Sequence, residues 1–164
     1  MSAETLIANL TKIYTLHEHL LALAARKTEI LKKGDADSLQ SLMREEQKYM
    51  TAIAMMENER QTAAKAFLKK GRAEGLTISD CIEAATPEAA ETLRNLQQKI
   101  LYVIEKLQVQ NDLNQQLIYQ SLQFVNMSLD LFQPKHESSV YGRPDTKQPQ
   151  KQQKTGMSFF DSKA

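Results

Sequence analysis

From Glu88 to Gln133 the chain contains neither glycine nor proline, and no other feature limits its fold as much. Both residues punctuate helices, proline by removing a donor and clashing with the preceding turn, glycine by its conformational freedom. The start of this run is marked. Thr86 is in position to cap, Pro87 occupies the first helical position, and Glu88 and Glu91 complement the positive end of the helix dipole. Pro134 supplies the stop. The run reads as one long helix.

Within it, the seventeen residues between Asp112 and Asp130 carry no charge, although 25% of the chain is charged. Their Asn, Gln and Ser content makes them too polar to span a bilayer, which asks for about 20 mostly apolar residues. At about 100° per residue, Leu93, Leu96, Ile100, Val103, Ile104 and Leu107 share one core-facing arc, which continues through Ile118, Leu122, Val125, Leu129 and Phe132. A second apolar strip runs beside it in the later half: Leu113, Leu117, Phe124, Met127 and Leu131. A polar row of Gln110, Asn114, Ser121 and Ser128 separates the two, and together they widen the low-charge surface to roughly 220°. One reading makes both strips core, with further helices around them. The other turns the first strip to the bundle and the second to a partner helix. Gln115, Gln116, Gln123 and Asn126 on the far side favour a partner, because neutral amides are cheaper to desolvate than the lysines and glutamates of a free surface.

Three further helices precede this one. Leu6, Leu10, Ile13, Leu16, Leu20 and Leu23, joined by Ile30 and Leu31, place a first helix at about Ala3 to Lys33. Gly34 provides its left-handed stop, and Asp35 or Asp37 caps the next start. The second helix is expected from about Ala36 to Lys70, with Leu39, Leu42, Met43, Met50, Ile53, Phe67 and Leu68 inward, ending at Gly71 and Gly75. A short third helix, Ile78 to Ala84, follows Thr77, with Asp80 placed to complete a capping box. From Pro134 onward the composition changes: three of the four prolines and a Lys/Gln run from Lys147 to Lys154 predict a tail disordered in isolation, interrupted by the apolar Met157-Ser-Phe-Phe160. The organisation expected is a helical bundle over 1–133 and a flexible tail over 134–164.

Composition agrees with an all-α antiparallel bundle of three long helices plus a short one. Only 6% of residues are aromatic and five are glycine, against the turn and β-former content of a sandwich or barrel. Six Lys/Arg against three Asp/Glu after Phe132 leave the tail mildly basic, too weak a field to imply nucleic acid. No basic segment followed by an apolar run opens the chain, and no stretch suits membrane insertion, so a cytoplasmic address is expected.

The chemistry of an active site is missing from the sequence. His17 and His19 stand two apart, about 200° around a helix, so they cannot grip one ion. Cys81 has no partner for a disulfide and reads as a small buried side chain. Glu45, Glu46, Glu57 and Glu59 lie among opposite charges and read as a solvated face. No phosphate loop, nucleophile elbow or zinc spacing occurs; no cofactor, no metal and no enzymatic activity are expected. Met43, Met50, Met55 and Met56 are either gap-filling residues or adaptable contacts.

The last helix, reading Asn111-Asp-Leu-Asn-Gln-Gln-Leu-Ile-Tyr-Gln-Ser-Leu-Gln-Phe, with Tyr141-Gly142 after it and Lys33-Gly34-Asp35 between the first two helices, resembles the FlgN family of flagellar export chaperones. The resemblance extends over nearly all of the chain. It implies a non-enzymatic chaperone that holds the C-terminal helical segments of the hook-filament junction proteins FlgK and FlgL before type III export and delivers them to the export gate component FlhA. It also implies that Asn111, Leu113, Asn114, Leu117, Ser121, Phe124 and Leu131 bind the exported protein, and that Tyr141 and Gly142 dock at the gate. A homodimer of the free chaperone is compatible with this reading. The alternative is a self-associating helical scaffold or adaptor using the same helix.

Overall fold

In the computed structural model, residues 3–68 and 76–132 are described, and they form four helices: α1 (Ala3–Lys33), α2 (Ala36–Leu68), α3 (Ile78–Ala84) and α4 (Pro87–Phe132). The α1–α2 turn and the starts of α3 and α4 fall where the sequence places them. Gly34 adopts φ 69, and the amides of Gly34 and Asp35 return to the carbonyls of Leu31 and Ile30, at 3.2 and 3.3 Å. This paired return closes the end of α1 as a Schellman motif. Asp35, rather than Asp37, then caps α2, its carboxylate accepting from the Ser38 amide at 3.0 Å and from the Ser38 hydroxyl at 2.6 Å. Those two bonds hold the Asp35 carboxyl below its ordinary pKa.

The Thr77 capping box forms as expected, with Asp80 N donating to Thr77 Oγ1 and Thr77 N to Asp80 Oδ2. Thr86 acts differently. Its carbonyl accepts from the Ala90 amide at 2.8 Å, while its side chain forms no capping bond among the described residues. The expected end of α2 at Lys70, with Gly71 and Gly75, lies outside the described residues.

Helix α1 lies between α2 and α4, which have no Cα atoms within 8 Å of each other. It runs up, α2 down and α4 up again. The main core unites Leu6, Leu10 and Ile13 of α1 with Ala63 and Ala64 of α2, Cys81 and Ile82 of α3, and Ala90, Leu93 and Ile100 of α4. Each leucine sealed there contributes about 1.5–3 kcal/mol by leaving water. A smaller cluster of Leu20, Leu23 and Leu42, flanked by Tyr49, Ile53 and Leu107, continues the seam towards the α1–α2 turn. A half-buried Lys27–Glu46 bridge of 2.6 Å joins α1 to α2 at that level.

Two inward assignments in α2 are corrected. Met43 and Met50 are exposed, because Leu42, Tyr49, Met56 and Ala63 follow a seven-residue spacing that leaves each methionine about 100° off the seam. Met55 is exposed as well, and Met56 packs against the core. Arg60 is buried despite its charge. Its guanidinium holds Glu57 through two bonds of 2.6 and 2.8 Å and reaches the Leu76 carbonyl at 3.4 Å, tying α2 to the segment before α3. These partners make Glu57 and Arg60 part of the packing, so the acidic run is not solvated throughout.

The projecting end of α4

The elements differ in length, and this creates the site. Helix α1 has 31 residues, α2 has 33 and α4 has 46. Register is fixed where Thr28 of α1 meets Gln110 and Asn114 of α4. Counting forward, Lys33 at the end of α1 stands about level with the turn Leu117 to Tyr119. The remaining length to Phe132 projects past the bundle by roughly 20 Å, at about 1.5 Å per residue.

The projecting residues are apolar. Phe124 is 72% exposed, Leu131 83% and Phe132 85%, and Tyr119, Leu122, Val125, Met127 and Leu129 are exposed beside them. This corrects the expected continuation of the core-facing arc: Ile118, Leu122, Val125, Leu129 and Phe132 are exposed rather than core. The reading in which both strips are core fails for the same reason.

Supercoiling accounts for the error. The buried and half-buried positions of α4 along this seam advance by sevens and half-sevens, from Leu93 and Leu96 through Ile100, Val103 and Leu107 to Gln110, Asn114 and Leu117. A straight-helix projection at 100° per residue drifts about 20° per heptad from that seam. After three heptads the projection assigns the bundle face to Ile118, whereas the actual seam follows the polar row.

The polar row therefore has two fates. Where α1 is present, Gln110 and Asn114 enter the interface. Asn114 is only 3% exposed, its Nδ2 donating to the Ala24 carbonyl at 2.8 Å and its Oδ1 2.6 Å from the Thr28 hydroxyl. Gln110 donates to that same hydroxyl. Beyond α1, Ser121 and Ser128 turn their hydroxyls back onto the carbonyls of Leu117 and Phe124, at 2.8 and 2.9 Å. A hydroxyl already bonded inside its helix can be covered by an apolar surface without losing a partner.

The seven residues assigned to binding thus divide by location. Leu113, Ser121, Phe124 and Leu131 are exposed, Asn111 and Leu117 are half-buried, and Asn114 is sealed against α1. Tyr141 and Gly142 lie outside the described residues. Missed at the sequence level were Val125 and Phe132 as exposed surface of one continuous apolar end, because the projected arc assigned both to the core.

Reactive chemistry is not assembled anywhere among the described residues. No group of three His, Cys, Asp or Glu side chains there could hold a metal ion. His17 contacts the Ile13 carbonyl through Nδ1 at 2.8 Å, while His19 stacks on Tyr49 with centroids 5.3 Å apart. Cys81 is fully buried, and burial pushes its thiol pKa up, away from the thiolate a nucleophile needs. No described helix is long and apolar enough to cross a membrane.

The described residues thus form an all-α bundle in which one long helix continues past the others with an exposed apolar end. The chain belongs to the FlgN family, whose model, "FlgN protein", matches residues 1–149. The family comprises non-catalytic chaperones of flagellar assembly, which generally serve flagellar axial proteins. A similar protein is the "Uncharacterized protein YvyG" of Bacillus subtilis (strain 168), 38% identical over 164 residues and covering 100% of both chains. No solved structure matches the chain.

Proposed function

We propose that this chain is a cytoplasmic export chaperone that receives the C-terminal helical segments of FlgK and FlgL on the projecting end of α4. The observation that carries the reading is the continuation of α4 past the end of α1, with an apolar surface uncharged from Leu113 to Leu129 and no helix against it among the described residues. An incoming amphipathic helix can occupy the place that α1 leaves empty. Leu117, Ser121, Phe124, Ser128 and Leu131 continue the α1–α4 seam at the same spacing and would form its floor.

Leu113 and Asn111 border this surface. Asn114 serves it from within, by fixing where α1 stops supporting α4. Covering the cargo's apolar stripe suppresses assembly before export. The tail, residues 134–164, would serve delivery, with Tyr141 and Gly142 docking at FlhA. The test is co-purification of the full chain with C-terminal fragments of FlgK and FlgL, wild type against Phe124→Glu. A scaffold instead predicts concentration-dependent self-association abolished by that substitution, with no complex with either fragment.

A further inference from the structure

A second apolar feature lies on the other pair of helices. Between α1 and α2 is an open groove of about 490 Å³, walled by Leu16, His19, Tyr49, Ala52, Met55 and Met56. Its size falls in the range of about 300–1,000 Å³ that holds compact ligands. Leu16, Tyr49 and Ala52 also line an adjoining depression with Arg44, Glu45 and Lys48, so the groove continues towards the α1–α2 turn. His19 of α1 stacks on Tyr49 of α2 across the groove, and the thioethers of Met55 and Met56, further along α2, add adaptable lining. Nothing in the chaperone reading uses this surface.

We propose that this groove docks the Met157-Ser-Phe-Phe160 segment of the same chain. In the sequence after Phe132, that segment joins three large apolar side chains in succession with one serine, amid Lys, Gln and Pro. An extended segment places Met157 and Phe159 on one face, directed into the groove, with Phe160 against its rim. Charge agrees with the assignment. Asp161 follows at once, and Lys12, Arg44 and Lys48 border the groove with no ion-pair partner among the described residues. Glu45 on the same border is engaged by Arg26 at 3.7 Å.

The connection is long enough. Phe132 stands about 45 Å along the bundle from the level of Leu16, taking about 1.5 Å per residue and the α1–α4 register. The residues from Gln133 to Met157 span up to roughly 80 Å when extended. A tether of this kind presents the segment at an effective concentration of about a millimolar or less, so weak contacts suffice for occupancy. Docking there ties residues 133–156, Tyr141 and Gly142 among them, into a loop closed at both ends.

The chain contains no tryptophan, so Phe159→Trp gives the full-length protein a single reporter. Docking predicts blue-shifted emission, several-fold protection from acrylamide, and no change on dilution. Adding Met55→Glu, on an exposed wall of the groove, must restore solvent-like emission while helicity is unchanged. Solvent-like emission in Phe159→Trp alone overturns the proposal. So does protection indifferent to Met55→Glu, which places the segment elsewhere, and so does protection lost on dilution, which assigns the contact to a second copy.

Discussion

The Asn114 side chain of α4 bonds the backbone carbonyl of Ala24 in α1 at 2.8 Å, one turn before Thr28, whose hydroxyl meets the same amide at 2.6 Å. This is the last layer in which α4 is fully packed. A polar pair in an otherwise apolar seam accepts one register and penalises every shifted one, because a slip leaves buried donors and acceptors unpaired. The pair thus determines how much of α4 projects.

Thr28→Val removes the hydroxyl with little change of shape and leaves Gln110 and Asn114 partly unpaired. We expect a loss of about 1–3 kcal/mol, and a similar loss for Asn114→Ala. In a double-mutant cycle read by urea denaturation the two effects should be strongly non-additive, since either change breaks the same bond. Additive losses would show that the layer does not act as a unit.

Substitutions on the projecting end should behave oppositely. Phe124→Glu and Leu131→Glu replace exposed side chains with no packing in the free protein, so stability should stay within about 0.5 kcal/mol of wild type. Thermal and urea midpoints check this directly. A large loss of stability would mean that this surface is already covered in the free protein, by the chain itself or by a second copy.

Arg60 gives a pH signature. Its bonds lower the Glu57 pKa from the ordinary value of 4.5. A carboxyl whose pKa is depressed on folding stabilises the folded state above its unfolded pKa, and that contribution disappears as pH falls through the folded value. The stability difference between wild type and Glu57→Gln should therefore be constant near neutrality and shrink below pH 4.5. Because Glu57 is partly exposed, solvent screening keeps the difference modest. A difference that grows in acid would contradict the assignment.

Cys81 reports on the core. Fully buried and with its thiol pKa raised, it should react with a thiol reagent only when α3 and the adjoining core open. Its labelling rate should rise with urea in step with the loss of helicity, and rapid labelling in native buffer would contradict the packing described.

The helices and their caps were legible because local chemistry decides them. Gly34, Asp35, the Thr77–Asp80 box and the Pro87 start each act within a few residues, and the Leu6–Leu10–Ile13 and Leu93–Ile100 faces repeat strongly. The bundle face of α4 beyond Leu107 was not legible, because a small angular drift accumulates over a long helix and reaches about 60° by Asn114, three heptads after Leu93. Arg60 was hidden for another reason: a guanidinium belongs in a seam only when Glu57 and the Leu76 carbonyl receive it, and the second partner lies 16 residues away. The charge gap overlaps the projecting end, but only the unequal lengths of α1 and α4 show that it projects.

The central claim is that the uncovered end of α4 binds a helix from another protein. The most direct measurement is titration of the full chain with C-terminal fragments of FlgK and FlgL by calorimetry, comparing wild type with Phe124→Glu. We predict a stoichiometric complex for wild type, lost in the variant while helicity and unfolding midpoint are retained. Unaltered affinity in Phe124→Glu, or no binding of either fragment by the wild-type chain, would contradict the account.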